Sequence, residues 1–324
     1  MIKLSFNISV RLFRKGGQAD KTTAWAPTGK RFLAQAEELI GTLEQSRAKS
    51  TIDNYRTAVR SLTTFADERL RMSELSQPLI EGWQQWLQQQ GITLNTISCY
   101  MRSLRAIISH LDSEAAARSL FKTVYTGKAR TDKRSIPLDE LNHLQQLPLD
   151  RDSPLAFARD IFLFCVYTLG MPFVDVAHLR RKQLADGYIT YHRQKTGQRI
   201  RIKIEPPMQQ IIDRYVSDEN PYVFPILPAD RPEAPCDYER ARSRYNRFLR
   251  HLGELAGISR PLTSYVARHS WATMAWQSDV ALPVISKALG HTSPNTTLTY
   301  IREIDDQRID VANHTLLTLL TQVT

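Results

Sequence analysis

Apolar positions recur along the first third of the chain at the spacing of helices with one buried face. The helical pattern opens at Thr28, and Phe32, Ala36 and Ile40 form its first stripe. Tyr55, Val59, Leu62 and Phe65 form a second, over a helix expected from Ser50 or Thr51 to about Arg69. Ser76-Gln77-Pro78 opens a third, with Ile80, Trp83, Trp86 and Leu87 inward, and Gly91 closes it. Asn95 or Thr96 caps a fourth. Its inward residues are Ile97, Tyr100, Leu104, Ile107, Ile108 and Leu111, and Arg102 and Arg105 lie on its outer face. The pattern predicts a bundle of four or five helices over residues 28–122, after a short basic arm (1–27) with one strand and a Gly-Gly turn.

The polar, basic stretch at 123–134, which includes Lys128, reads as a linker, and residues 135–324 as a second domain. That domain opens with two helices, PLDELNHLQQL and SPLAFARDIFLFCVYTLG. The period then changes to two: YITYHRQ and RIRIKIEP flank Thr196-Gly197, the signature of a β-hairpin. Helices resume at Pro207. The expected fold class is mainly α, with a mixed α+β second domain holding a small antiparallel hairpin.

Composition narrows the function. A chain of 324 residues suits two domains. No stretch approaches the roughly 20 apolar residues of a membrane span. Cys99, Cys165 and Cys236 are far apart and lack zinc-ligand spacing, so free thiols of a cytosolic protein are expected, the first two buried in helices. The net charge is +10 and the pI about 9.6, which favours a polyanionic partner, nucleic acid before membrane. The charge is uneven. Residues 1–130 carry 19 basic and 11 acidic side chains, and the remainder 24 and 22. Between Arg180 and Lys203 eight basic residues, Arg193 and Arg199 among them, face one acid, Asp186. Between Arg240 and Arg250 there are five arginines, including Arg242, Arg244 and Arg247, and no acid.

Four places carry candidate chemistry. Lys195 sits at the hairpin turn; alone it is a solvated lysine. In LTSYVARHSWATMA, Tyr265, Arg268 and His269 occupy the first turns of a core helix. An arginine among small and apolar residues must be paired or face an anion. His291 follows Leu289-Gly290, where Gly290 is a plausible helix C-cap. Ser293-Pro294 then starts a short polar helix that carries Tyr300. A phenol with a pKa of about 10 becomes a nucleophile only if something takes its proton.

Taken in order, a hairpin Lys, an Arg at a buried helix start, Leu-Gly-His and a Tyr nine residues on resemble the tyrosine recombinase (phage integrase) family. The wording TSYVARHSWAT and LGHTSPNTTLTY is most like recombinases of the Bacteroidetes group. The resemblance covers most of the chain. It implies a SAM-like helical core-binding domain at 28–122 and a DNA-breaking-rejoining catalytic domain in the remainder. It implies that Tyr300 attacks a DNA phosphate to give a 3′-phosphotyrosyl enzyme, that Lys195 protonates the leaving 5′-oxygen, and that Arg268 and His291 bind the phosphate. Asp175 and His269 would support the site. Arg102, Arg105, Lys128, Arg193, Arg199, Arg242, Arg244 and Arg247 would bind duplex DNA. No metal or cofactor is implied. The partners would be double-stranded DNA and further copies of the chain, as a tetramer on paired sites joined by the C-terminal DVANHTLLTLL, at a cytoplasmic, nucleoid-associated location.

Two departures stand out. Tyr265 occupies the place of a family histidine, where as a catalytic residue it can still donate a hydrogen bond. The family's first arginine belongs in a T-G-L-R-x-x-D-like motif; here, in TLGMPFVDVAHL, Gly170 and Asp175 match but Pro172 holds the arginine position. Just before the Gly, an alternative place for that arginine, stands Leu169. Losing such a donor costs of order 10²–10³ in rate. Arg180, Arg181 and Arg199 are possible substitutes. The alternative function is a catalytically impaired DNA-binding factor with the same fold. A third reading is an unrelated basic helical protein.

Overall fold

The computed structural model describes residues 31–129, 135–228, 235–291 and 294–298, with 313–314 and 317–318 near the C-terminus. The chain divides into two units, residues 1–131 and 132–324. In the first, the apolar stripes meet as α1 (Phe32–Leu43), α2 (Lys49–Ala66), α3 (Gln77–Gln89), α4 (Leu94–Leu111) and α5 (Glu114–Leu120). Phe32, Ile40, Leu62, Ile80, Trp83, Ile97, Met101 and Ile107 fill its core. The buried indole of Trp83 donates to Ser61 Oγ at 3.2 Å, so its N–H is not left unpaired. Gly91, at φ +73°, ends α3 in the left-handed conformation.

Some boundaries differ from the periodic reading. Thr93 caps α4, its Oγ1 accepting from the Thr96 amide, so the helix begins earlier than a cap at Asn95 allows. Asn95 has other partners: its Nδ2 donates to Ala129 O at 3.0 Å and its Oδ1 accepts from the Ala129 amide at 2.9 Å. Tyr100 and Leu111 are only half-buried, while Ser98 and Met101 turn inward. Cys99 is half-buried, not buried; Cys165 is buried; the side chain of Cys236 lies outside the described residues. The stretch expected to act as linker from 123 is tied to the first unit as far as 129. Val124 is buried, the Tyr125 amide donates to Gln84 Oε1 at 2.6 Å, and Ser98 Oγ donates to Gly127 O at 2.6 Å. Residues 130–134 and the arm 1–27 lie outside the described residues.

The second unit is built around α7 (Pro154–Tyr167), nine of whose residues are buried. A helix apolar on every side must be covered on every side. Around it pack α6 (Leu138–Gln146), α9 (Pro206–Tyr215), α10 (Pro235–Leu255) and α11 (Val266–Gln277). Asp160, inside this helix, is balanced by Arg214 Nη1 at 2.7 Å, Arg159 Nε at 3.1 Å and the Tyr215 hydroxyl at 2.9 Å. The short α8 (Phe173–Ala177) leads to an antiparallel sheet of β1 (Leu184–Ala185), β2 (Tyr188–His192) and β3 (Arg199–Lys203), in that order. Ile189 pairs with Ile202 and Tyr191 with Ile200, placing these four on the core face. Arg199, Arg201 and Lys203 face outward. Then come α12 (Leu282–Ala288) and α13 (Pro294–Leu298). Among the described residues, no helix is long and apolar enough to cross a membrane.

Candidate active site

Two glycines let four segments meet. Gly170 lies at φ +70°, and a Cβ there would sit 2.9 Å from the Cα of Arg268, so the turn after α7 presses directly on α11. Gly290 lies at φ +63°, and a Cβ there would sit 2.6 Å from Cδ of Arg193. Gly290 also ends α12 in a Schellman arrangement: its amide bonds Lys287 O and the His291 amide bonds Ser286 O, both at 3.0 Å. His291 is thereby turned back toward α11. Arg268 is 3 % exposed. Its Nη1 donates to Gly170 O at 3.0 Å, and its Nη2 donates to Leu289 O and to Nε2 of His291, the latter at 3.0 Å. His291 Nδ1 is 2.9 Å from Thr297 Oγ1 on α13.

A second guanidinium enters from the hairpin. Arg193, expected as a DNA contact, is 8 % exposed. The inward alternation of Ile189 and Tyr191 carries it to the core side. Its Nη1 donates to Leu289 O at 2.8 Å and to Gly290 O at 3.1 Å. Arg193 and Arg268 thus share one carbonyl. Nε of Arg193 is 3.6 Å from Oδ2 of Asp175, whose Oδ1 accepts from the Gln194 amide at 2.9 Å. Asp175 therefore ties α8 to the hairpin. Burial pushes its pKa up, against the Gln194 amide and the charges of Arg193 and Arg268.

Lys195 is exposed in the hairpin turn, and its charge is felt by His291. Burial first, then Arg268, Arg193 and Lys195, lower the His291 pKa to about 4, so the ring is neutral at pH 7. Tyr265 caps α11 at 43 % exposure and meets the His269 ring edge to face, centroids 4.9 Å apart. Leu169, at φ +59°, packs on the core, and Pro172 caps α8. Among the possible substitutes, Arg181 pairs with Asp218, Arg180 lies over the Tyr222 ring, and Arg199 faces outward. Arg242, Arg244 and Arg247 are exposed on α10, and Arg102, Arg105 and Lys128 on the first unit. Ser293, Tyr300 and most of DVANHTLLTLL lie outside the described residues.

Residues 134–307 match the phage integrase family, and residues 31–119 match the phage integrase SAM-like domain. The chain belongs to the phage integrase family. It is a tyrosine-type site-specific recombinase by that membership. Among its relatives is tyrosine recombinase XerD of Listeria monocytogenes serotype 4b, 20% identical over 273 residues, which cover 80% of this chain and 89% of that one. Tyrosine recombinase XerA of Pyrococcus furiosus is 24% identical over 223 residues, covering 67% and 72%. In fold the recombinase resembles a lambda integrase dimer bound to a COC′ core site, with TM-score 0.66 and 14% identity over 84% of this chain and 95% of that one. It also resembles the Tn1549 transposon integrase in complex with transposon right end DNA, with TM-score 0.67 and 14% identity over 89% and 100%.

Proposed function

We propose that this recombinase is catalytically active on duplex DNA and that Arg193 supplies the guanidinium that Leu169 and Pro172 do not. The observation that carries this is the convergence of Arg193 and Arg268 on Leu289 O beside His291. Among the described residues, two buried guanidiniums converge with the Asp175 carboxylate beside them, an arrangement suited to an anion. A phosphate carries full negative charge and can accept from a guanidinium bidentately, so it competes with these neutral carbonyls for the same donors.

In this reading the non-bridging oxygens of a scissile phosphate lie against Arg268 and Arg193. The phenolic oxygen of Tyr300 forms the new bond to phosphorus, and its proton passes to the lone pair on His291 Nε2. The imidazolium so formed donates to the phosphate. The phosphate's negative charge offsets the cations that depress His291, so the ring gains basicity as DNA binds. The bond to the 5′-oxygen breaks, and Lys195 donates a proton to that oxygen. The 3′-phosphotyrosyl link conserves the bond energy, so religation needs neither metal nor nucleotide. Asp175 orients Arg193 and the hairpin; Tyr265, at the place of a family histidine, donates a hydrogen bond to the phosphate, and His269, against its ring, supports it. Arg242, Arg244 and Arg247, with Arg102, Arg105, Lys128 and Arg199, grip the backbone, and four copies act on paired sites. We infer a cytoplasmic, nucleoid-associated place of work from the DNA substrate.

The test is covalent trapping on a nicked suicide duplex carrying the target site. The wild type should give an SDS-resistant protein–DNA band that Tyr300→Phe loses. Tight, salt-sensitive binding with no band would instead support a DNA-binding factor that has lost its chemistry with the arginine.

A further inference from the structure

Thr297 is completely buried on α13, yet it carries a hydroxyl. That hydroxyl lies 2.9 Å from Nδ1 of His291. On the other side of the ring, Nε2 lies 3.0 Å from Nη2 of Arg268. A guanidinium can only donate, so Nε2 presents a lone pair to it. The single proton of the neutral imidazole is then on Nδ1, and Thr297 Oγ1 accepts it. Which nitrogen is protonated is set by the bond the other makes; here the Arg268 bond sets it, and the Thr297 hydroxyl, which can donate or accept, accepts.

We propose that Thr297 is a positioning residue that holds His291 in the Nδ1–H form, keeping the Nε2 lone pair available to accept the proton of the Tyr300 phenol. The proposal rests on the recombinase reading above. When an entering phosphate draws Arg268 away from Nε2, the lone pair is released into the pocket. The phenolic O–H then breaks, an N–H forms at Nε2, and the phenolic electron pair forms the bond to phosphorus. Lys195 gives its proton to the departing 5′-oxygen. Thr297 Oγ1 accepts from Nδ1–H before and after, so the proton moves without rearranging the ring's support. Thr297 also lies three residues before Tyr300 in sequence. The segment that delivers the nucleophile therefore carries the group that prepares its base.

Valine has the shape of threonine without the acceptor, and serine keeps the acceptor without the methyl. In Thr297→Val the Oγ1 acceptor of Nδ1–H is gone, so once Arg268 no longer faces Nε2 the ring is free to adopt the Nε2–H form, which has no lone pair facing the phosphate. The experiment combines two measurements on full-length protein. Nitrogen-15 NMR of the histidine rings, assigned with His291→Gln and recorded for each residue at 297 in an Arg268→Ala background, reads the tautomer where no guanidinium faces Nε2. Single-turnover adduct formation on the suicide duplex reads the chemistry. With threonine or serine at 297 the ring should show Nδ1–H. Thr297→Val should shift toward Nε2–H and slow adduct formation about 10–100-fold, the range seen when a metal-bound histidine loses its orienting partner. Thr297→Ser should stay close to wild type in rate. A Nδ1–H spectrum that survives in Thr297→Val would overturn the proposal, as would Thr297→Ser failing as badly as Thr297→Val. A wild type that forms no adduct would sink the recombinase reading, while the spectra would still decide whether Thr297 sets the tautomer.

Discussion

Adding one methyl group at Gly290 should disturb the site from within, and the size of the effect can be worked out. Gly290 lies at φ +63°. An alanine forced into that conformation costs roughly 1–2 kcal/mol. Its Cβ would lie 2.6 Å from Arg193 Cδ, 3.0 Å from Ile200 Cδ1 and 3.3 Å from Gln198 Oε1. Carbon atoms rest about 3.5–4.0 Å apart, so Arg193 must move by about 1 Å. It is buried and pinned by its bonds to Leu289 O and Gly290 O, so it cannot swing aside freely. Overpacking of this kind costs roughly 1–3 kcal/mol. Gly290→Ala should therefore lose about 2–5 kcal/mol, or roughly 4–20 °C in the unfolding of a unit of this size. The partition can be measured by repeating the substitution in an Arg193→Ala background. There the closest clash is relieved, and the loss should fall toward the backbone cost of roughly 1–2 kcal/mol, with Ile200 Cδ1 left to give by a few tenths of an ångström. Equal losses in the two backgrounds would refute the claim that Arg193 fills the space a side chain at 290 would need.

Other outcomes follow from the same contacts. His291 should titrate near pH 4 by NMR, and Lys195→Ala should raise that value, because removing a cation eases protonation of the ring. Since the folded pKa lies below the ordinary 6.5, the unfolded chain binds the extra proton first; the His291 contribution to stability is full above pH 6.5 and lost as pH falls toward 4. Asp160→Asn, which strips Arg159 and Arg214 of their buried partner, should lower thermal stability by about 3–5 kcal/mol and leave the cleavage rate per folded molecule unchanged. Removing the exposed Arg244 and Arg247 together should weaken binding to any duplex and flatten the log–log salt dependence by about 1.8, measured by fluorescence anisotropy.

The helices and the hairpin were legible in the sequence because burial repeats locally, every three to four residues in one case and every two in the other. Arg268 and His291 could be singled out because each is a charged or titratable residue beside a helix boundary marked by small residues. What brings them within 3.0 Å is not local. It depends on Gly170 and Gly290, whose missing side chains allow close approach between segments about 100 residues apart in sequence. Arg193 was partly legible: alternation from Ile189 through Tyr191 points it inward, but its charge argued for the surface, and its partner Asp175 is on another element. The tie between Asn95 and Ala129, which extends the first unit past its expected end, is a single pair of side-chain bonds with no pattern to announce it. Nor does anything in the periodicity mark Thr297 as different from the threonine before it.

The central claim is that Arg193 does the work of a phosphate-binding arginine from an unusual place in the fold. Arg193→Lys tests it most directly, because lysine keeps the positive charge beside Asp175 but loses the planar fork. The measurement is single-turnover formation of the covalent adduct under saturating suicide duplex, with thermal unfolding alongside. The account predicts a rate lower by about 10²–10³ at nearly unchanged stability. An Arg193→Lys protein that cleaves as fast as wild type would contradict it.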